Sequence, residues 1–225
     1  MSGAPDRPFT EALRTAAAPC WRAAVEHRFV RELADDSLPD PVYAAYLIQD
    51  YAFLGNLVSL VGAAVAHAPS MAAKSRFARF LGALTGPEND YFERSFAALG
   101  VPLLDPREIE RGAVTKQFGA LMDRVIREGD YGGILSVLVG AEWSYLTWAR
   151  EAAANPRPAR FYLAEWIDLH VDPGFADFVG WLRGELDTVG SHADPEVRDR
   201  LQQLFRDTME LEAAFYDQAY ARAER

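Results

Sequence analysis

The chain has 225 residues, half of them hydrophobic, so it can bury a sizeable core and is not disordered throughout. Acidic residues outnumber basic ones 33 to 23, and the net charge of -10 disfavours nucleic acid as a partner. The single cysteine, Cys20, excludes an internal disulfide and any multi-cysteine zinc or iron–sulfur site.

Residues 1–8 are expected to be flexible. The first twenty residues carry acids and prolines and lack the apolar core of a signal peptide, so a cytoplasmic protein is expected. Helical apolar spacing then predicts a first helix over Thr10–Ala34, kinked by Pro19. Cys20 reads there as a small buried thiol, and His27 as a cap or core histidine. A second helix is predicted over Pro41–Ala66. Tyr51 to Ala73 contains no Asp, Glu, Lys or Arg, which is long enough to span a bilayer. Gly55, Asn56, Ser59, Gly62, His67 and Pro69 interrupt the run and Asp50 precedes it, so it reads as a helix inside protein, with no membrane association. Further helices are predicted over Ser70–Leu84, Glu88–Leu99, Ala113–Glu128, Tyr131–Ala154, Ala159–His170, Pro173–Val189, and from Pro195 to the C-terminus. Asp40-Pro41, Asp105-Pro106, Asp172-Pro173 and Asp194-Pro195 each read as a helix start, because Asp caps free amides and proline needs no amide partner. The second of these opens a possible capped turn. No period-2 strand, repeat or linker stands out. The expected fold is all-α, a single-domain multi-helix bundle over residues 1–225.

Three helices carry candidate chemistry. On the second, Asp50 shares a face with Tyr43, Tyr46 and Phe53. A carboxylate on an aromatic inner face is costly unless it is paired or hydrogen-bonded. Either a neighbouring arginine pairs with it, or it walls a ligand pocket. On the Tyr131 helix, Leu138, Ala141, Tyr145 and Trp148 form a stripe, and Glu142 lies on the side of Tyr145. Spacing alone reads Glu142 as solvated. On the last helix, Glu212 shares a face with Thr208, Met209, Phe215 and Tyr216, while Glu210 points elsewhere. Two inward carboxylates on separate long helices suggest a polar spot in an aromatic-lined cavity, suited to orienting a flat nitrogen heterocycle or to acid/base work. His27, His67, His170 and His192 are far apart, and none forms the Glu-x-x-His pair of di-iron bundles. His170 faces either a pocket or solvent. There is no phosphate loop, GxSxG or Rossmann fingerprint.

Trp21 with HRFVRELADDSLP, then YLIQDYAFL, LGALTGPENDYFERSFAALGV, EWSYLTWA, EWIDLH and ELEAAFYDQAY follow one another as in a known family. Over nearly its whole length the chain resembles the TenA/thiaminase II family, of haem-oxygenase-like fold. The resemblance implies an all-α bundle, a homodimer or homotetramer, with a small-molecule aminopyrimidine bound between helices. It implies thiamin salvage by hydrolysis of an exocyclic carbon–nitrogen bond, releasing hydroxymethylpyrimidine. By that resemblance Asp50 holds the amino edge of the pyrimidine, and Glu212 shuttles a proton to the leaving group. Tyr145 is the tyrosine on the nucleophile's helix, and Phe53 an aromatic of the pocket wall. The family's nucleophilic cysteine falls at Ala141, followed by Glu142, and two pocket tyrosines are replaced by Phe118 and His170. The chain thus looks like the cysteine-lacking branch, associated with formylated or free aminopyrimidine breakdown products.

Three readings follow. The first is an aminopyrimidine hydrolase without metal or cofactor. In it Asp50, Phe53, Tyr145, Phe118, His170 and Tyr46 bind substrate, and Glu142 and Glu212 divide the roles of base and acid. The second is a non-catalytic binder or regulator, favoured by the replaced cysteine and tyrosines. The third is a metal-dependent oxidase with Glu142, His170 and Glu212 as ligands, disfavoured by the scarcity of histidine.

Overall fold

A computed structural model describes residues 7–102 and 105–224, so the expected flexibility of residues 1–6 lies outside the described residues. Pro8 is already the N-cap of the first helix. The described residues contain helices and no strand: α1 (Phe9–Ala16), α2 (Ala18–Val25), α3 (Arg28–Ala34), α4 (Asp40–His67), α5 (Met71–Leu84), α6 (Pro87–Ala98), α7 (Ala113–Glu128), α8 (Tyr131–Ala153), α9 (Phe161–Val171), α10 (Pro173–His192) and α11 (Pro195–Ala223).

Eight of these helices match the predicted ones closely, but the predicted first helix is three. Ala17 leaves helical geometry and lets Pro19 sit in the opening turn of α2, where its missing amide costs nothing. His27 then turns extended, and its Nδ1 accepts the Phe29 amide at 3.1 Å, capping α3. The Asp-Pro signals divide. Asp172 and Asp194 cap α10 and α11 through side-chain hydrogen bonds to backbone amides. Asp40 does not cap α4. Its carboxylate instead accepts from Arg160 and from the Tyr162 hydroxyl. Asp105 opens only a turn, closed by its own backbone and side chain onto Glu108 and Arg107.

Helix α8 is the hub. Every residue from Gly132 to Ser144 is buried, and the helix packs on α2, α3, α4, α7, α9, α10 and α11. Its start is set by Gly129, left-handed at φ 64, and by Asp130, whose carboxylate accepts the Gly132 and Gly133 amides. A Cβ on Gly140 would lie 2.9 Å from Cγ2 of Thr208, so glycine here lets α8 and α11 close together. That approach brings the Glu142 and Glu212 helices to one cavity. Helix α4 is long and apolar enough to cross a membrane by length and composition. In this fold it packs along α5, α7, α8 and α11 and turns Tyr43, Tyr46 and Gln49 into the core. The core is one cluster that runs from Phe9 to Tyr220.

Candidate active site

A cavity of about 830 Å³ opens among helices α4 to α11. Its outer end is bounded by Arg76 and Arg79 of α5 and by Asp172 and Asp177, with Arg76 Nη1 3.0 Å from Asp177 Oδ2. Inside that rim stands a phenylalanine sleeve, in which Phe80 and Phe178 stack at 4.2 Å. The inner wall is aromatic again. Phe53 lies 4.8 Å from Phe118 and 6.1 Å from Phe215, ring centre to ring centre.

Of the carboxyl groups that line this cavity, four from four helices are raised by burial: Asp50 of α4, Glu88 of α6, Glu142 of α8 and Glu212 of α11. Glu142 is 7% exposed and Glu212 3%, and no cation contributes to the ionisation of any of the four. Burial therefore dominates. It raises Asp50 from 3.8 to about 7, opposed by a hydrogen bond from the Tyr46 hydroxyl. It raises Glu142 from 4.5 to about 8, with the neighbouring Asp50 charge adding to the shift. Glu88 and Glu212 are pushed well above the ordinary carboxyl range by burial, then by Asp50 and Glu142. Asp50 and Glu142 thus act on both Glu88 and Glu212. Such a set holds protons near neutral pH and can both donate and accept them.

The expected site residues are mostly brought together. Asp50, Phe53, Phe118, Glu142, Tyr145, His170 and Glu212 all line the cavity. Spacing alone read Glu142 as solvated, but the tight approach of α11 closes that side of α8 and buries it. Tyr46 is the correction: it does not line the cavity. Its ring is fully buried against Phe29, Phe215 and Trp166, because α3 and α11 cover this part of the Asp50 face. Only its hydroxyl serves the site. It lies 2.8 Å from the Tyr145 hydroxyl, and its influence lowers the Asp50 carboxyl against the rise that burial causes.

His170 Nδ1 lies 2.7 Å from the Trp166 carbonyl and so carries the proton, leaving Nε2 as an acceptor. Burial lowers its pKa to about 4, so the ring is neutral at pH 7. Among the described residues no three His, Cys, Asp or Glu side chains converge to hold a metal ion, so Glu142, His170 and Glu212 do not form the ligand set of the oxidase reading. Ala141 lines the cavity where the family's cysteine was expected. Cys20 lies elsewhere, with its thiol 3.5 Å from Glu210 and its pKa raised by partial burial and by that carboxylate. It is no substitute nucleophile.

Glu88 is the residue that sequence reasoning missed. The stretch GPEND reads as an exposed, acidic helix start. The signal was present in the stripe Glu88, Tyr91, Phe92, Ser95, Phe96, which follows helical spacing and whose last four members are buried.

A model of the TENA/THI-4/PQQC family matches residues 14–222. An aminopyrimidine aminohydrolase of Halalkalibacterium halodurans is 25% identical over 213 residues, covering 94% of this chain and 95% of that one. Another of the same name, from Bacillus subtilis, is 25% identical over 217 residues, 94% of this chain and 89% of that one. The crystal structure of a TenA homologue from Pyrococcus furiosus superposes with a TM-score of 0.84 at 21% identity, covering 94% of this chain and all of that one. Its all-α architecture is the fold seen here. With the family match spanning nearly all of its length, the chain belongs to the TENA/THI-4/PQQC family.

Proposed function

We propose that this chain is an aminopyrimidine hydrolase of thiamin salvage, which replaces an exocyclic amine on a pyrimidine methyl group by hydroxyl. The observation that carries the reading is the convergence of Asp50, Glu142 and Glu212 on one aromatic-walled cavity, without a cation to neutralise them. Relatives bearing the name aminopyrimidine aminohydrolase support it. The reading takes residues 1–225 as one domain acting in the cytoplasm as a homodimer or homotetramer.

In this mechanism the pyrimidine lies among Phe53, Phe118, Tyr145 and Phe215. Asp50 accepts from the amino edge of the ring. The exocyclic carbon–nitrogen bond breaks, water supplies the new hydroxyl, and the nitrogen leaves as ammonia. Glu142 borders the Ala141 position and, once ionised, takes the proton from water. Glu212, pushed well above the ordinary carboxyl range by burial, hands its proton to the departing nitrogen. Each such transfer typically contributes about 10² to 10⁴-fold. Ala141 offers no thiolate, so the covalent route to intact thiamin is closed and thiamin is not a substrate.

One assay tests this. Purified protein is incubated with thiamin, the aminomethylpyrimidine and its N-formyl derivative, and mass spectrometry follows each pyrimidine. Loss of an amino-type compound with thiamin untouched is expected, and Asp50→Asn and Glu212→Gln should each collapse it without loss of helicity. Full turnover in both variants would overturn the assignment. Tight pyrimidine binding without turnover in the wild type would favour the non-catalytic binder instead.

A further inference from the structure

Three proton-handling or orienting roles account for Asp50, Glu142 and Glu212, and they leave Glu88 over. Its neighbours on α6 are all partnered outward. Asp90 accepts from Arg94 at 2.8 Å, Glu93 accepts from Asn89 at 3.0 Å, and Asn89 accepts from the Tyr51 hydroxyl at 3.2 Å. Glu88 alone among these side chains faces the cavity, and no cation contributes to its ionisation. Its position is rigid. One and two turns further on, α6 is anchored by Tyr91, which stacks on Trp166 at 5.0 Å and donates to the Tyr162 carbonyl at 2.8 Å. Phe92 and Phe96 are buried beside it. The fold gains nothing from an unpaired carboxyl at this point, and an apolar or amide side chain would cost less. What the carboxyl fits is a ligand that brings the missing positive charge.

We infer that Glu88 recognises the exocyclic ammonium of the substrate, and that the site therefore takes the free aminomethylpyrimidine in preference to its N-formyl derivative. This rests on the hydrolase reading above. An aliphatic primary amine is protonated at neutral pH, as a lysine is. It carries one positive charge and three N–H donors. Placed beside Asp50, Glu142 and Glu88, it turns mutual repulsion among the acids into attraction, because an opposite charge within about 4–6 Å favours the ionised carboxylate. A formamide is neutral and presents one N–H. It leaves the acids unpaired or protonated, and so forfeits the charge-assisted hydrogen bonds that the amine makes. Glu88 and Glu212 reach the cavity from different helices, α6 and α11. The incoming ammonium is held by Glu88; it first gives up one proton to an ionised carboxylate of the site, and Glu212 returns one proton to the neutral nitrogen as the carbon–nitrogen bond breaks, so that it leaves as ammonia.

The test is a competition between the amine and its N-formyl derivative for the same enzyme, which reads the ratio of their kcat/KM values directly. The inhibition constant of the alcohol product, hydroxymethylpyrimidine, reports ring binding in the absence of the amine. Wild type should favour the amine by tenfold or more. Glu88→Gln should erase most of that preference, raise KM for the amine at least tenfold, and leave inhibition by the alcohol within twofold. Glu88→Asp, which keeps the charge but shortens the arm, should recover part of the preference; it also serves as the readout if the glutamine variant fails to fold. A preference unchanged in Glu88→Gln, a wild-type preference for the formamide, or equal weakening of amine and alcohol would overturn the assignment. Turnover of neither compound by wild type would instead sink the hydrolase reading itself.

Discussion

Glu142→Gln should make the protein more stable while abolishing its turnover, and the stability gain should grow with pH. In the unfolded chain Glu142 releases its proton near 4.5, whereas burial in the fold holds the proton to about pH 8. Between those values the folded state binds the proton and the unfolded state does not, so the wild type loses stability as pH rises through the window. Each pH unit is worth about 1.36 kcal/mol. From pH 5.5 to pH 8 the accumulated loss is about 3 kcal/mol. That figure is an upper bound, because protonation of Asp50 relieves part of the shift. Glutamine keeps the shape and the polar end but does not titrate. The assay is urea unfolding of wild type and variant at pH 5.5 and pH 8.5, with each pair compared at the same pH so that other titrating groups cancel. The variant should gain on the wild type by 1 kcal/mol or more, and up to about 3 kcal/mol, between the two pH values. A difference that stays flat with pH, or that shrinks as pH rises, would refute a proton held on a buried Glu142.

Two further predictions bear on the site and its frame. Ala141→Cys places a thiol on the cavity wall beside Glu142, so iodoacetamide should inactivate this variant, with protection by hydroxymethylpyrimidine, while the wild type with Cys20 alone keeps its turnover; rapid inactivation of the wild type would contradict the placement of Cys20. Arg160 ties the α3–α4 connection to the start of α9, with Nε 2.7 Å from Asp36, Nη1 2.6 Å from the Leu38 carbonyl and Nη2 2.6 Å from the Asp36 carbonyl. Charge-assisted bonds of this kind, discounted for partial exposure, predict a loss of about 2 kcal/mol for Arg160→Ala, or a fall in Tm of roughly 4–8 °C; an unchanged Tm would show that the junction is not tied there.

Where one residue type dictates local geometry, the chain could be read directly. Asp172 and Asp194 cap their helices as their Asp-Pro dipeptides suggest. The long apolar periods of α4, α8 and α11 locate the central helices and the faces of Asp50 and Glu212. Two things were not legible for tertiary reasons. Asp40 carries the same dipeptide as the true caps, but Arg160, 120 residues away, takes its carboxylate. Glu142 looks like a surface acid by local pattern, and only the packing of neighbouring helices reveals it; Glu88 is marked only by the aromatic stripe that follows it on α6. Gly140 lets α11 press against α8, and the Tyr91–Trp166 stack fixes the end of α6 at the cavity. Tyr46 shows the converse. Its register puts it on the Asp50 face, but its ring packs against Phe29, Trp166 and Phe215 and stays out of the cavity lining.

The absence of a thiolate changes what the acids must do. A cysteine nucleophile carries the reaction through a covalent adduct and needs little help in choosing its leaving group. With Ala141 in its place, the bond must yield to water, and the departing nitrogen must be protonated before it can leave. Four burial-shifted carboxyls suit that task in both directions. If Glu88 recognises the exocyclic ammonium as inferred, the substrate is drawn in by the charge it neutralises. Once the nitrogen has departed, the ring carries a neutral hydroxyl and Glu88 has lost its partner. The same acids that hold the amine therefore hold the alcohol less firmly, so recognition of the leaving group also favours release of the product. The cost is the one that Glu142→Gln is expected to reveal: a core whose stability falls as pH rises, because its acids keep their protons until a cation arrives.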